Sequence, residues 1–578
     1  MRRLAAAFAL LLLLTASQLP AASAPAVRGS GGSVASSEAA ATQVGLEVLR
    51  LGGNAVDAAV ATALALAVVH PSAGNLGGGG FAVVRYDGEF ASLDFREVGP
   101  AAARADMYLD ESGEVMPYAS IIGALAAGVP GTPHGLFELH RRYGQLAWTV
   151  VVTPAARLAL DGFPVSRRLH EKLADRKDLL QRFSTTSEVW LPGGAPPPIG
   201  STFSLPALGR TLAAYAELGP DAIVTGAAAA AIERTSTEHG GILTAADLAA
   251  YRPVWREPVF FEALGWSFAS MDLPSSGGII LGQTLAILER LGWAQQPRFG
   301  AERAHLLTET WRRVYADRFL LGDPATTGAH STDLLADAWL DRRAAEIGNR
   351  ATPSADVASW SPTGHESDET THLSVIDEAG NVVALTTTLN GSFGSALLVP
   401  EVGFLLNNEM DDFAAAPGKP NLYGLIQGKE NAVAAGNRML SSMTPTIAWT
   451  QSQAIAIGGW GGSKIPSATT QVLLNVLVDG DALQEAVDRP RMHHQWLPDR
   501  VDAELDTLSP ETVAELRRRG HTVKLKENLS AVVTAVGLRA DGSFEAAPDP
   551  RGPGVGGVVT PEVTEQALHL AGAQGDSR

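Results

Sequence analysis

The sequence predicts a mixed chain of helices and sheet, of the α/β or α+β class, and three observations carry that prediction. Stretches with apolar residues at helical spacing alternate with short β-rich runs. Two of those runs, 372–377 and 382–389, flank Glu378-Ala379-Gly380-Asn381, which reads as the turn of an antiparallel hairpin. No fixed-period repeat points to a solenoid or propeller instead.

Taken in order, a short Gly/Ser stretch at 29–33 leads into an alanine-rich helical pattern. It breaks at Gly52-Gly53-Asn54 and resumes over 55–69, as two packed helices would. Further helices are expected at 207–218, 278–291, 301–319, 334–347, 469–478 and 510–519. Strands are expected at 81–86, 148–152, 372–377, 382–389, 446–457 and 532–538, where β-branched and aromatic residues gather. The segment 351–369 is rich in Ser, Pro, Asp and Gly, lacks periodicity, and reads as an exposed linker open to proteolysis.

Composition narrows the function. Of 578 residues, 46% are hydrophobic and 18% charged, so a large core is expected and a disordered chain excluded. A net charge of −18 offers no basic excess to release counterions from nucleic acid, so no nucleic-acid partner is expected. Cysteine is absent, which removes disulfides, thiolate nucleophiles and Cys-ligated metals. Arg2 and Arg3 precede an apolar run at 4–14, and Ala22-Ser23-Ala24 follows, as in a secretory signal cleaved after residue 24. That run is about half of the roughly 20 residues a spanning helix needs, so no stable membrane anchor is expected. The expected destination is the periplasm or the extracellular space.

Familiar catalytic motifs fail in turn. There is no His-Glu-x-x-His pair, no Gly-x-Ser-x-Gly elbow and no phosphate-binding Gly-x-x-x-x-Gly-Lys-Ser/Thr loop, which Gly461-Gly462-Ser463-Lys464 only mimics at its end. Gly77 to Gly80 precede a strand instead of opening a helix, so their expected role is close packing. His493 and His494 would point to opposite faces of a strand, with no third ligand nearby, and no metal site is expected. The informative stretch is Asp368-Glu369-Thr370-Thr371-His372, a polar linker running into a strand. Threonines there are ordinarily read as β-propensity. If the bond before Thr370 is cut, however, its new α-amine, with a reference pKa of about 7.7–8.0, can serve as general base for its own Oγ.

Around that stretch lie Gly52-Gly53-Asn54-Ala55-Val56-Asp57-Ala58, Gly74-Asn75-Leu76 with Gly77 to Gly80, and Asp94-Phe95-Arg96-Glu97. Val129-Pro130-Gly131-Thr132, Pro274-Ser275-Ser276-Gly277-Gly278, Tyr315-Ala316-Asp317-Arg318 and Gly322-Asp323-Pro324 follow. Beyond Thr370-Thr371-His372 come Asn407-Asn408-Glu409-Met410-Asp411-Asp412-Phe413, Leu440-Ser441-Ser442-Met443 and His493-His494-Gln495-Trp496-Leu497-Pro498. Over nearly all of the chain after residue 24 these motifs resemble those of the γ-glutamyltranspeptidases (glutathione hydrolases), which are N-terminal-nucleophile hydrolases.

The resemblance implies an α+β fold, a four-layer αββα sandwich built as one domain from two self-cleaved subunits. An inactive precursor would cut itself between Glu369 and Thr370. The large subunit, 25–369, and the small catalytic subunit, 370–578, would then remain a noncovalent heterodimer. The double histidine becomes a packing signature. Thr388 matches the threonine that positions the nucleophile, and Gly461 and Gly462 match the backbone donors for the tetrahedral oxyanion. Arg96 matches the ligand of the substrate α-carboxylate, with Ser441 and Ser442 adding hydroxyls, while Asn390, Glu409 and Asp412 match the side that holds the α-ammonium. Tyr423, within 417–424, matches the aromatic of a lid loop. The implied reaction passes a γ-glutamyl group from glutathione or a related compound to water or to an amino acid or dipeptide acceptor, with no cofactor.

Three positions depart from the family pattern. Trp460 replaces proline beside the glycine pair, Met439 replaces the proline before Leu440-Ser441-Ser442-Met443, and Lys464 replaces an arginine. Two rivals stand against the reading. A glutaryl or cephalosporin-type acylase of the same fold would act on side chains lacking the α-ammonium, and retention of Asp412 with Arg96 opposes it. An unprocessed binding protein is opposed by the intact Thr370, Thr388 and glycine pair.

Overall fold

Two seven-stranded sheets lie at the centre of the molecule in a computed structural model that describes residues 27–358, 369–414 and 428–560. The expected signal, the greater part of the polar stretch before Glu369, and Tyr423 lie outside the described residues. In chain order the strands are β1 (Val27–Gly29), β2 (Gly32–Ser36), β3 (Gly79–Tyr86), β4 (Glu89–Asp94), β5 (Val254–Arg256), β6 (Val259–Ala263) and β7 (Trp266–Ser270). They continue as β8 (Thr371–Asp377), β9 (Val382–Thr388), β10 (Thr446–Trp449), β11 (Ala454–Trp460), β12 (Val532–Leu538), β13 (Phe544–Ala547) and β14 (Val555–Val558). One sheet runs β14-β2-β8-β9-β3-β4-β5 and the other β1-β13-β12-β11-β10-β7-β6. Every pairing within them is antiparallel, which decides for α+β.

Side-chain alternation shows how the layers stack. Along β8 and β9, Leu373, Val375, Val383 and Leu385 join one core, while Ile376, Val382 and Ala384 join a second core on the other face. Along β11, Ala454 and Ala456 enter that second core, and Ile455 and Ile457 enter a third. The second core therefore lies between the sheets, and its many alanines let them approach closely. Helices cover both outer faces. The first core takes α1 (Ala39–Arg50), α2 (Ala55–Val69), α3 (Trp148–Asp161), α4 (Arg167–Asp175) and α5 (Pro206–Leu218). The third takes α6 (Gly277–Arg290), α7 (Ala301–Asp317) and α8 (Ile465–Leu477). The order is helix, sheet, sheet, helix, the sandwich that the resemblance implied.

Local chemistry explains the first motif. The Asn54 side chain accepts from the N–H groups of Val56 and Asp57 at 3.0 Å each, and Asp57 accepts from Asn54 N at 3.0 Å, a reciprocal cap on α2. Ala55 N donates to Asp377 at 2.9 Å, fastening the helix start to the β8–β9 turn. All fifteen residues of α2 are buried, which is why its sequence is apolar all round.

Four expectations need correction. Residues 148–152 open helix α3, not a strand. Val151, Val152, Ala155, Ala156 and Ala159 form one buried face, and Trp148 Nε1 donates to the Tyr215 carbonyl on α5 at 2.8 Å, so packing overrides β-propensity. The run 446–457 is two strands, β10 and β11, because residues 450–453 turn between them. Within 334–347 the helix covers only Asp337–Ala345. The start of the expected open linker is anchored: Ser354 is 1% exposed, and its hydroxyl donates to Trp496 O at 2.6 Å.

Candidate active site

The hairpin register places Thr370. Thr371 pairs with Thr387, so one step further brings Thr370 opposite Thr388. The partner strands hold this end: Thr371 Oγ donates to Ser37 Oγ at 3.0 Å, and Thr388 pairs with Gly79. His372 sits between the sheets, its ring nitrogens 2.8 Å from Thr386 Oγ and 2.9 Å from Ser374 Oγ. Burial pushes its pKa down to about 3, so it is neutral and structural.

Thr388 is a relay between two backbones. Its Oγ accepts from Asn390 N at 2.7 Å and donates to the Glu369 carbonyl at 2.9 Å. The hydroxyl proton is thereby aimed at the bond preceding Thr370. Asn390 adopts φ of +69°, which asparagine tolerates better than most residues, and its Nδ2 donates to Asn408 O at 2.9 Å. Asn75, whose role the sequence reading missed, donates to Thr388 O at 2.8 Å and Thr387 Oγ at 3.1 Å. It also accepts from Gly78 N at 2.9 Å and Thr132 Oγ at 2.7 Å. The signal was present in Gly74-Asn75-Leu76, quoted only as a motif.

Arg96, Thr370, Thr388, Asn390, Glu409, Asp412, Ser441, Ser442 and Gly462 surround one small cavity, with Glu369 in its wall. Arg96 is buried. It donates to Glu409 and Asp412, its Nε donates to Met439 O at 3.3 Å, and Glu97 lies 3.8 Å away. Three carboxylates thus surround one guanidinium. Burial raises the Glu97 pKa to about 8 and that of Glu409 well above the usual range, although Arg96 opposes both shifts. Burial alone would lower the Arg96 pKa, but the carboxylates outweigh it and hold the guanidinium charged. The cavity therefore presents one fixed cation beside three carboxyl groups, so it offers hydrogen-bonding partners of both signs.

Gly462 lines the cavity while its neighbour Gly461 does not, and the two have φ of +59° and +133°. A Cβ on Gly461 would lie 2.6 Å from Ser530 O, so that position requires glycine. The 3₁₀ turn Gly462–Lys464 runs straight into α8, which puts the positive end of the helix dipole at the cavity. The departures fall around this frame. Met439 is buried among Tyr108, Met410 and Phe413, and its carbonyl holds Arg96. Trp460 is buried beneath the Arg168 guanidinium, 4.5 Å from the ring centroid.

The remaining motifs are architectural. Added Cβ atoms on Gly77, Gly78 and Gly80 would lie 2.1 Å from Leu405 O, 2.1 Å from Thr388 O and 2.2 Å from Thr386 O, the close packing expected of them. His493 lies 2.7 Å from Ser467 Oγ and 2.8 Å from Gln495 Oε1, and His494 Nδ1 accepts from Trp496 N at 3.0 Å. Among the described residues no group of three or more His, Asp or Glu side chains is placed to hold a metal.

Residues 41–559 match the family model described as gamma-glutamyltranspeptidase. The chain belongs to the γ-glutamyltranspeptidase family. A glutathione hydrolase proenzyme of Escherichia coli strain K12 is 41% identical over 530 residues, covering 91% of each chain. The proenzyme of Pseudomonas aeruginosa is 40% identical over 540 residues, 92% of this chain and 95% of its own. Among solved structures, a cephalosporin acylase from Bacillus halodurans superposes with a TM-score of 0.81 at 26% identity, covering 93% of this chain and 98% of its own. A gamma-glutamyltranspeptidase from Pseudomonas nitroreducens, complexed with L-DON, gives a TM-score of 0.52 at 39% identity, covering 55% of this chain and 94% of its own. The chain is thus an enzyme of γ-glutamyl transfer or hydrolysis on the N-terminal-nucleophile hydrolase fold.

Proposed function

We propose that Thr370 is both the site of self-cleavage and the nucleophile of the mature enzyme, and that glutathione and related γ-glutamyl amides are its substrates. The observation that carries this is the Thr388 hydroxyl donated at 2.9 Å to the carbonyl of Glu369. A donor on that oxygen polarises the bond that must be cut. In the precursor, Thr370 Oγ adds to the Glu369 carbonyl carbon, the C–N bond breaks, and the proton passes from Oγ to the departing nitrogen. Water then hydrolyses the ester, leaving a Glu369 carboxylate and a Thr370 with free amine and hydroxyl. The products are a large subunit, 25–369, and a small subunit, 370–578, joined as a heterodimer.

In turnover the Thr370 amine takes the proton from Oγ, which attacks the γ-carbonyl of the donor. Charge developing on the carbonyl oxygen is met by the N–H groups of Gly461 and Gly462 at the positive end of α8. Collapse returns the proton to the leaving amine, cysteinylglycine when glutathione is the donor, and leaves a γ-glutamyl ester on Thr370. Water or an amino acid or dipeptide acceptor then takes the acyl group. Arg96, Ser441 and Ser442 hold the donor α-carboxylate, and Glu409, Asp412 and Asn390 its α-ammonium. Tyr423 is assigned the lid position on the sequence pattern alone. Export to the periplasm or beyond is proposed from Arg2, Arg3 and the apolar run at 4–14. Among the described residues no helix is long and apolar enough to cross a membrane.

Intact mass and N-terminal sequencing of the wild type and of Thr370→Ala test this reading. The expected wild type is two chains, the lighter beginning Thr370-Thr371-His372, and the expected variant is one chain without turnover. A folded wild type that stays whole overturns it. The likeness to a cephalosporin acylase gives the comparison substrate. With Arg96, Glu409 and Asp412 converging on one cavity, γ-glutamyl anilide should be cleaved far faster than glutaryl anilide, and the reverse preference would establish the acylase.

A further inference from the structure

We propose that Lys172, assisted by Arg168, is a positioning residue for self-cleavage: the two cations of α4 grip the side chain of Glu369 and so fix the carbonyl that Thr370 attacks. The proposal rests on reading 369–370 as the bond that is cut.

Glu369 is 4% exposed, although it ends a polar stretch. A carboxylate this buried needs a countercharge. Lys172 Nζ donates to Glu369 Oε1, and Arg168 Nη2 lies 3.5 Å from Glu369 Oε2. Four residues apart on one helix, the two cations share a face. The helix that carries them starts at a fixed point, since Ser166 Oγ accepts from Leu169 N at 3.1 Å.

The two cations are not equivalent. Arg168 has other ties, stacked on Trp460 and facing the buried carboxyl of Glu38. Among the described residues its Nη2 makes no hydrogen bond, and neither does Glu369 Oε2. Lys172 makes the hydrogen-bonded contact. Glu369 is thus held at two points, by Lys172 at the carboxylate and by Thr388 at the carbonyl, 2.9 Å away. Two-point fixation removes rotation of the scissile peptide and keeps its carbonyl facing Thr370 Oγ, which is how positioning accelerates an intramolecular attack.

Arg168 also extends the device to the oxyanion loop, because Trp460 directly precedes Gly461. The replacement of proline by tryptophan therefore supplies the ring on which this arginine rests.

The test follows conversion of the full-length chain into two chains by intact mass, for wild type, Lys172→Glu, Glu369→Lys and the double variant. Each single change should slow conversion about tenfold or more, as expected when a buried charged partner is lost. The reversed pair should convert clearly faster than either single variant while staying short of wild type, because Arg168 then faces a cation at position 369, and Lys172→Arg should stay near wild type. Lys172→Met, which keeps the aliphatic stem, is read by the same criterion if Lys172→Glu does not fold. Melting of the same changes on the Thr370→Ala background separates lost positioning from lost stability, since recovery by charge reversal requires the pair itself. Wild-type rates in both single variants, or a double variant no faster than the slower single, would overturn the proposal. A wild type that is not cut between Glu369 and Thr370 defeats the cleavage-site reading instead.

Discussion

At the scale of residues, two side chains separate processing from recognition. Thr388 is 2% exposed and directs its hydroxyl at the Glu369 carbonyl, so Thr388→Val, close to isosteric, removes the donor and little else. Self-cleavage of Thr388→Val should slow by about a hundredfold, in the range seen when one preorganised donor is lost, while Thr388→Ser stays close to wild type. A time course of chain cleavage reads this, and equal rates in both variants would remove Thr388 from the mechanism. In the proposed mechanism Arg96 serves recognition. Arg96→Lys keeps the charge but loses the planar fork that reaches Glu409 and Asp412 together. For γ-glutamyl anilide, kcat/KM should fall by about ten- to a hundredfold, mainly through KM. Steady-state kinetics on the processed enzyme decide it, and a loss confined to kcat would assign Arg96 to the chemical step.

At the scale of elements, the sheets tolerate little added volume where they face each other. A Cβ on Gly458 of β11 would lie 2.4 Å from the His372 ring of β8, in the opposite sheet. Gly458→Ala should therefore lower the melting temperature by about 1–3 °C, the cost of forcing a methyl into a packed core spread over the large unfolding entropy of a chain this long. Gly328→Ala, with nothing within 4 Å of the added atom, should melt with wild type. Both follow from thermal melting, and equal melting of the two variants would mean that the sheets can part. Elements of this kind were legible when their period ran long enough. The α2 helix and the β8–β9 hairpin were read from sequence within a residue of their ends. The start of α3 was not, because Thr149 to Val152 are β-branched and the helical spacing emerges only through Ala159. The candidate site was legible through motifs, and its cavity gathers Arg96, Thr370, Thr388, Glu409 and Asp412 from distant parts of the chain. Asn75, Lys172 and Arg168 escaped because a buried hydrogen bond or ion pair between distant segments leaves no periodic trace.

At the scale of the whole molecule, both sheets interleave strands from either side of Thr370. β8 and β9 lie between β2 and β3 in one sheet, and β10 to β13 lie between β1 and β7 in the other. Cutting one bond therefore leaves the ladders intact, and the two chains should co-elute and melt in a single transition; separation without denaturant would contradict the shared sandwich. Titration of that fold should show a buried carboxyl that does not line the cavity. Glu38, preceding α1, is 6% exposed, and burial raises its pKa from an ordinary 4.5 to about 7, with Arg168 and Ser166 opposing the shift. Between those values the unfolded chain has given up a proton that the folded chain keeps, so the stability Glu38 contributes is complete below about pH 4.5 and lost as pH rises through about 7. Glu38→Gln cannot ionise. On the Thr370→Ala background, which holds the chain in one piece, its melting temperature should gain on the parent from pH 5 to pH 8, by an amount corresponding to roughly 1–3 kcal/mol. Asp411, also raised to about 7 by burial, keeps part of the parental slope in the single variant, and adding Asp411→Asn should flatten the profile further. Parallel melting curves for Glu38→Gln and its parent across that range would show that Glu38 ionises alike in the folded and unfolded chain.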